Sequence, residues 1–212
     1  MPIVNKHMPL DDFFWRRAIV FAGALIYWGG VVILARRVRK RIGRSPNLKP
    51  RTAKERLLWL GWTLVVLTWM LQPLFVRVGH GWPGFQIHSA CLVPGGFLAG
   101  VALTLIGYAA TLWCYVVMGH AWRVGVNREE RNARITAGPF RWIRHPIYAL
   151  QTLMLLGALL LLPTAASAVA VTLHVVCALL KARDEEAYLI SVHGDAYRAL
   201  MARTWRLLPK FW

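Results

Sequence analysis

The sequence predicts an all-α integral membrane protein of about five transmembrane helices, the fourth and fifth forming a helical hairpin. Three observations carry this. Apolar side chains make up 57% of the 212 residues and charged ones only 17%, against about a quarter charged in soluble domains. Mean hydropathy is +0.44. Several uncharged runs reach the roughly 20 residues a helix needs to cross a hydrocarbon layer, where every backbone N–H and C=O must pair within the segment.

The spans follow in order. Residues 18–35 and 57–76 carry no charge and form spans one and two. The polar residues 1–12 with two prolines, and the length of the apolar stretch after them, argue against a cleavable signal, so span one stays in the membrane. Span three, 93–118, opens at Pro94 and carries Gly95, Gly96, Gly100 and Gly107, small residues that let helices approach closely in lipid. From Ile147 to Leu180 runs an apolar stretch of 34 residues, too long for one span. Pro163 divides it into segments of 16 and 17 residues, because proline breaks a helix.

Charge sets the orientation. Of 26 Lys and Arg residues, ten lie in the linker 36–56, six in 119–145 and six from Lys181 onward, against nine acids in all. These segments share one side of a five-span chain, and the positive-inside rule makes that side cytoplasmic, with the N-terminus outside and the C-terminus inside. Only Lys6, Arg16, Arg17 and Arg77 remain for the other face, beside span ends. The basic linker sets orientation and invites anionic lipid head groups. Nucleic acid is excluded as a partner, since the aromatic residues lie in the spans and are not interleaved with the cations. Cys91, Cys114 and Cys177 lack CxxC spacing and read as buried thiols. Between Arg77 and Leu92, His80, Trp82 and His88 read as an interfacial stretch without a third metal ligand, and no metal site is expected.

Chemistry concentrates in two places. Gly119–Tyr148 contains a Gly138-Pro139 turn, then Phe140, Arg141, Trp142, Arg144, His145 and Tyr148. Pro146 suits the first turn of a helix, which places Arg144 and His145 at an N-terminus fit for an anion. Lys181–Tyr197 holds Asp184, Glu185 and Glu186, the densest acidic cluster in the chain. Carboxylates at a lipid boundary call for cations, and antiparallel packing of spans four and five supplies Arg144 and His145. A ligand for such a site carries a carboxylate, an ammonium and a flat ring or soft cation for Tyr148, Trp122, Phe140 or Trp142. S-adenosylmethionine has all of these, among several zwitterions and nucleotides; neither GxGxxG nor GxxxxGK[ST] occurs. His120 and His174 read as packing residues, and Glu129 and Glu130 as a solvated loop.

TAGPFRWIRHPIY at 136–148, EEAYL at 185–189, His193-Gly194, Tyr197 and Leu208-Pro209 resemble the C-terminal half of the isoprenylcysteine carboxyl methyltransferase and phospholipid methyltransferase superfamily. GHAWRVGV at 119–126 is similar to an element of bacterial members, which implies a bacterial inner membrane. The resemblance covers Gly119 to the end and divides the chain into N-terminal helices, 1–118, and a methyltransferase-like half, 119–212. It implies transfer of the methyl group of S-adenosylmethionine to a lipophilic or amphiphilic acceptor. Gly138, Phe140, Arg144, His145, Tyr148, Glu185 and Glu186 are then expected to line the cofactor site, with His145, Arg183 and Glu186 carrying the reaction. The chain departs from the pattern at Leu150, where glycine is usual, at His193 in place of Phe, and at Leu200 in place of a second tyrosine. Two alternatives stand beside it: an NADPH-dependent sterol or isoprenoid reductase-like enzyme, and a non-catalytic lipid-binding membrane protein.

Overall fold

The computed structural model describes residues 10–43, 50, 52–78, 81–87, 91–119 and 135–208. His80, His88, His120, Trp122, Glu129, Glu130 and most of 119–126 lie outside them. The α-helices are α1 (Leu10–Ile42), α2 (Ala53–Phe75), α3 (Gly96–Met118), α4 (Pro146–Leu161), α5 (Ala165–His193) and α6 (Asp195–Arg203). Four, α1, α2, α3 and α5, are long and apolar enough to cross a membrane, and α4 is a shorter apolar helix of 16 residues. Much of their apolar surface faces outward: Val116 is 79% exposed, and Ile26, Leu105 and Leu98 exceed half. A soluble monomer rarely shows so continuous an apolar surface; in a multi-pass membrane protein it meets lipid chains.

Two elements differ from the sequence expectation. The linker expected from residue 36 begins only after Ile42, because α1 continues through Arg36, Arg37, Arg39, Lys40 and Arg41. Arg and Lys are strong helix formers and extend their charge to the interface along apolar stems. Thr52 and Glu55 then start α2 with reciprocal side-chain to backbone bonds of 3.1 and 3.3 Å. The second difference is a two-residue parallel pair, β1 (Arg77–Val78) with β2 (Gln86–Ile87), in the connection between α2 and α3.

Glycine sets the spacing of α3 and α4. A Cβ on Gly157 would stand 2.7 Å from the Gly100 carbonyl, and one on Gly107 would stand 3.0 Å from the Leu150 carbonyl. The close approach that a glycine at 150 would allow is supplied here from the α3 side.

The hairpin turn falls at Leu162–Thr164, as Pro163 predicts. Its polar groups are met by other helices. Gln72 of α2 donates to Thr164 Oγ1 at 2.8 Å and Ser167 Oγ at 2.7 Å. Arg16, expected merely beside a span end, is buried within α1 and donates to the Leu160 and Leu161 carbonyls at 3.3 and 3.2 Å. Arg17 does the same for the Pro73 carbonyl at 2.6 Å. These bonds satisfy the carbonyls that every helix leaves unpaired at its C-terminus. Cys114 and Cys177 are buried, but Cys91 is exposed, contrary to the expectation of three buried thiols.

Candidate active site at the start of α4

Helix α5 has 29 residues and α4 only 16, so α5 runs on past the start of α4 by several turns at about 1.5 Å per residue. Glu185 and Glu186 lie on this projecting part, α6 folds back from it at Gly194, and residues 204–206 return beneath the start of α4. That return is fixed by backbone bonds: Trp205 N–H to the Trp142 carbonyl at 2.9 Å, Arg144 N–H to the Trp205 carbonyl at 2.7 Å, and His145 N–H to the Arg206 carbonyl at 3.1 Å. Ile143 and Trp205 form an isolated parallel bridge.

Two carboxylates divide the site between them. Glu186, whose side chain is 3% exposed, accepts from Arg144 Nε at 2.8 Å on Oε1 and from Arg206 Nε and Nη2 at 2.9 and 2.6 Å on Oε2. Arg144 Nη1 also donates to the Met201 carbonyl at 3.2 Å and to the carbonyl and Oγ1 of Thr204, so it closes the C-terminus of α6. Glu185 is more open, at 16%. It accepts from the Tyr148 hydroxyl at 2.9 Å on Oε1, and His145 Nδ1 lies 3.3 Å from Oε2.

The imidazole of His145 is buried between the two acids, its Nε2 3.5 Å from Glu186 Oε1 and without a hydrogen-bond partner among the described residues. Burial pulls the His145 pKa down, the Glu185 and Glu186 carboxylates push it up, and the net shift is upward from 6.5. Hydrogen bonding to Glu186 likewise holds Arg206 above its ordinary value. An aromatic wall backs the site: the Tyr148 ring stacks on His145 and on Trp62 of α2, both with centroids 5.8 Å apart.

Of the residues singled out in the sequence, Arg144, His145, Tyr148, Glu185 and Glu186 meet. Gly138 and Phe140 stand in the 3₁₀ turn Gly138–Arg141. Gly138 has φ +57°, and a Cβ there would press on Val117 and Trp113 of α3. Arg183 is exposed on α5 and makes no ion pair or hydrogen bond among the described residues. Asp184 pairs with Lys54 of α2 at 2.6 Å, and His174 bonds the Tyr148 carbonyl at 3.2 Å, a packing role. Sequence reasoning missed Arg206, Thr204 and Trp62. A lone cation just after a short helix was the one available signal for Arg206.

The donor set fits a zwitterionic sulfonium nucleoside. Glu185 offers a slightly exposed carboxylate to an ammonium, His145 a buried Nε2 with no hydrogen-bond partner among the described residues, and Tyr148 and Trp62 a ring surface. Residues 100–191 match the model of the Isoprenylcysteine carboxyl methyltransferase (ICMT) family. The match begins within α3 and ends before α6, so it includes both carboxylates and excludes Arg206. No curated protein matches the chain.

Proposed function

From the match of residues 100–191 to the isoprenylcysteine carboxyl methyltransferase family, we propose that the chain is a membrane methyltransferase that uses S-adenosylmethionine and a lipophilic or amphiphilic acceptor. The supporting observation is the pairing of a partly open Glu185 with His145 and Tyr148 beside a sealed Glu186. When bound, S-adenosylmethionine supplies an electrophilic methyl group for in-line displacement by an acceptor heteroatom.

The residues of this chain then bind and orient. Glu185 holds an ammonium, and the Tyr148 and Trp62 rings give a soft cation an aromatic face worth ~0.5–2 kcal/mol. Glu186, with both oxygens occupied by guanidinium groups, serves as the anchor that fixes Arg144 and His145. The Glu185 and Glu186 carboxylates favour the protonated form of His145, which suits it to donating to anionic groups more than to taking a proton. An acceptor that arrives ionised, a carboxylate or a thiolate, needs no base. Catalysis then rests on alignment and exclusion of water. In this reading the basic side is cytoplasmic, residues 119–212 form the catalytic half and residues 1–118 its membrane scaffold.

Incubating the detergent-solubilised protein with radiolabelled methyl donor and total membrane lipids, then chromatographing the products, tests the proposal. A labelled lipid that disappears in Glu185→Gln supports it. Absence of any labelled product overturns it, and cofactor titration with NADPH in parallel separates the reductase chemistry.

A further inference from the structure

A cavity lies away from the carboxylates, between the basic end of α1 and the last turns of α3, with a volume of about 480 Å³. That size falls within the roughly 300–1,000 Å³ of small-molecule sites. Its wall is aliphatic, from Ile33, Leu34 and Val38 on α1 and Leu112 and Val116 on α3. Its floor is aromatic: the Tyr27 and Tyr115 hydroxyls stand 3.0 Å apart, and Gln151 donates to Tyr27 at 2.8 Å. Of the five cations that end α1, only Arg37 and Arg41 line it. They stand four residues apart, on one face of the helix, where like charges repel. Neither makes an ion pair among the described residues.

We propose that this groove binds one anionic phospholipid, its phosphate between Arg37 and Arg41 and one acyl chain along the aliphatic wall. Charge complementarity and depth select this occupant. The two guanidinium groups sit at the end of a membrane span, where head groups lie, and cations there attract anionic lipid. Ile33 and Val116 below them are 52% and 79% exposed and face the hydrocarbon. A soluble anion would satisfy the arginines and leave the aliphatic wall unused. The site stands independently of methyl transfer.

The test delipidates the protein, reconstitutes it into vesicles of equimolar phosphatidylglycerol and phosphatidylcholine, re-extracts it in mild detergent and counts retained lipids by native mass spectrometry. The expected result is one phosphatidylglycerol per chain, retained at least about tenfold over phosphatidylcholine, as two cations near an anionic head group predict. Retention falls about tenfold in the double variant Arg37→Gln/Arg41→Gln. It also falls in Gly30→Leu, which keeps every charge. Gly30 lines the groove, and an added Cβ there meets no atom within 4 Å, so the larger side chain starts into open space at the groove wall. Equal retention of the two lipids overturns the proposal, as does undiminished retention in either variant; loss in the double variant alone means head-group attraction without the groove.

Discussion

Arg206 donates Nε and Nη2 to one oxygen of Glu186, at 2.9 and 2.6 Å, from a segment twenty residues further along the chain. The other oxygen belongs to Arg144, 42 residues earlier. One buried carboxylate therefore joins the start of α4, the end of α5 and the return after α6.

Removing that carboxylate's charge leaves Arg144 buried without a counter-ion. Breaking a buried pair costs about 3–5 kcal/mol, with a small contribution from Arg206, whose side chain is one-third exposed. Glu186→Gln is expected to lose about 3 kcal/mol, read as lowered resistance to thermal unfolding in detergent. Arg144→Lys does not rescue the arrangement, because an ammonium cannot reproduce the planar set of donors.

His145 makes folding pH-dependent with a definite sign. Its folded pKa lies above the unfolded value of 6.5, so its contribution is fully present below pH 6.5 and is lost as pH rises through the folded value. The thermal midpoint is expected to fall as pH is raised above 6.5 through the folded value. His145→Asn should flatten that slope; an unchanged slope would assign it to another group.

Close packing of α3 on α4 is tested at Gly157. The Gly157→Ala methyl would stand 2.7 Å from the Gly100 carbonyl, and forced overpacking costs about 1–3 kcal/mol. Gly29→Ala, with nothing within 4 Å of the new atom, is expected to change stability by less than about 0.5 kcal/mol. Comparing their unfolding midpoints checks both.

At the opposite end, Gln72 bonds both Thr164 and Ser167 in the buried hairpin turn. Gln72→Leu removes its bonds to Thr164 and Ser167, while Ser167 Oγ still donates to the Leu162 carbonyl and Thr164 Oγ1 still accepts from the Ser167 N–H, so the loss is about 0.5–1.5 kcal/mol per net hydrogen bond. Reduced thermal stability with donor affinity intact is the expected outcome, since the turn lies at the far end of α4 from His145.

The parts legible in the sequence were those with a local signature. Pro163 marks the hairpin because proline cannot continue a helix, and Pro146 marks the start of α4. The meeting of Arg144 with Glu186 follows from antiparallel packing of two consecutive helices. Arg206 was hidden because residues 204–206 are held through backbone bonds to Trp142, Arg144 and His145, which leave no side-chain periodicity. The helical Arg36–Arg41 segment read as a linker because charge dominates its pattern, although its intrinsic helix preference is high. Gly138-Pro139 announced a turn, but nothing local tied Gly138 to Trp113 and Val117.

Equilibrium dialysis of the purified protein against radiolabelled S-adenosylmethionine tests the central claim most directly, with Glu185→Gln beside the wild type. The account predicts saturable binding of one donor per chain, weakened at least about tenfold in the variant, as loss of one charged hydrogen bond of about 1.5–3 kcal/mol requires. A wild-type protein that binds no donor, or a variant that binds it equally well, would contradict it.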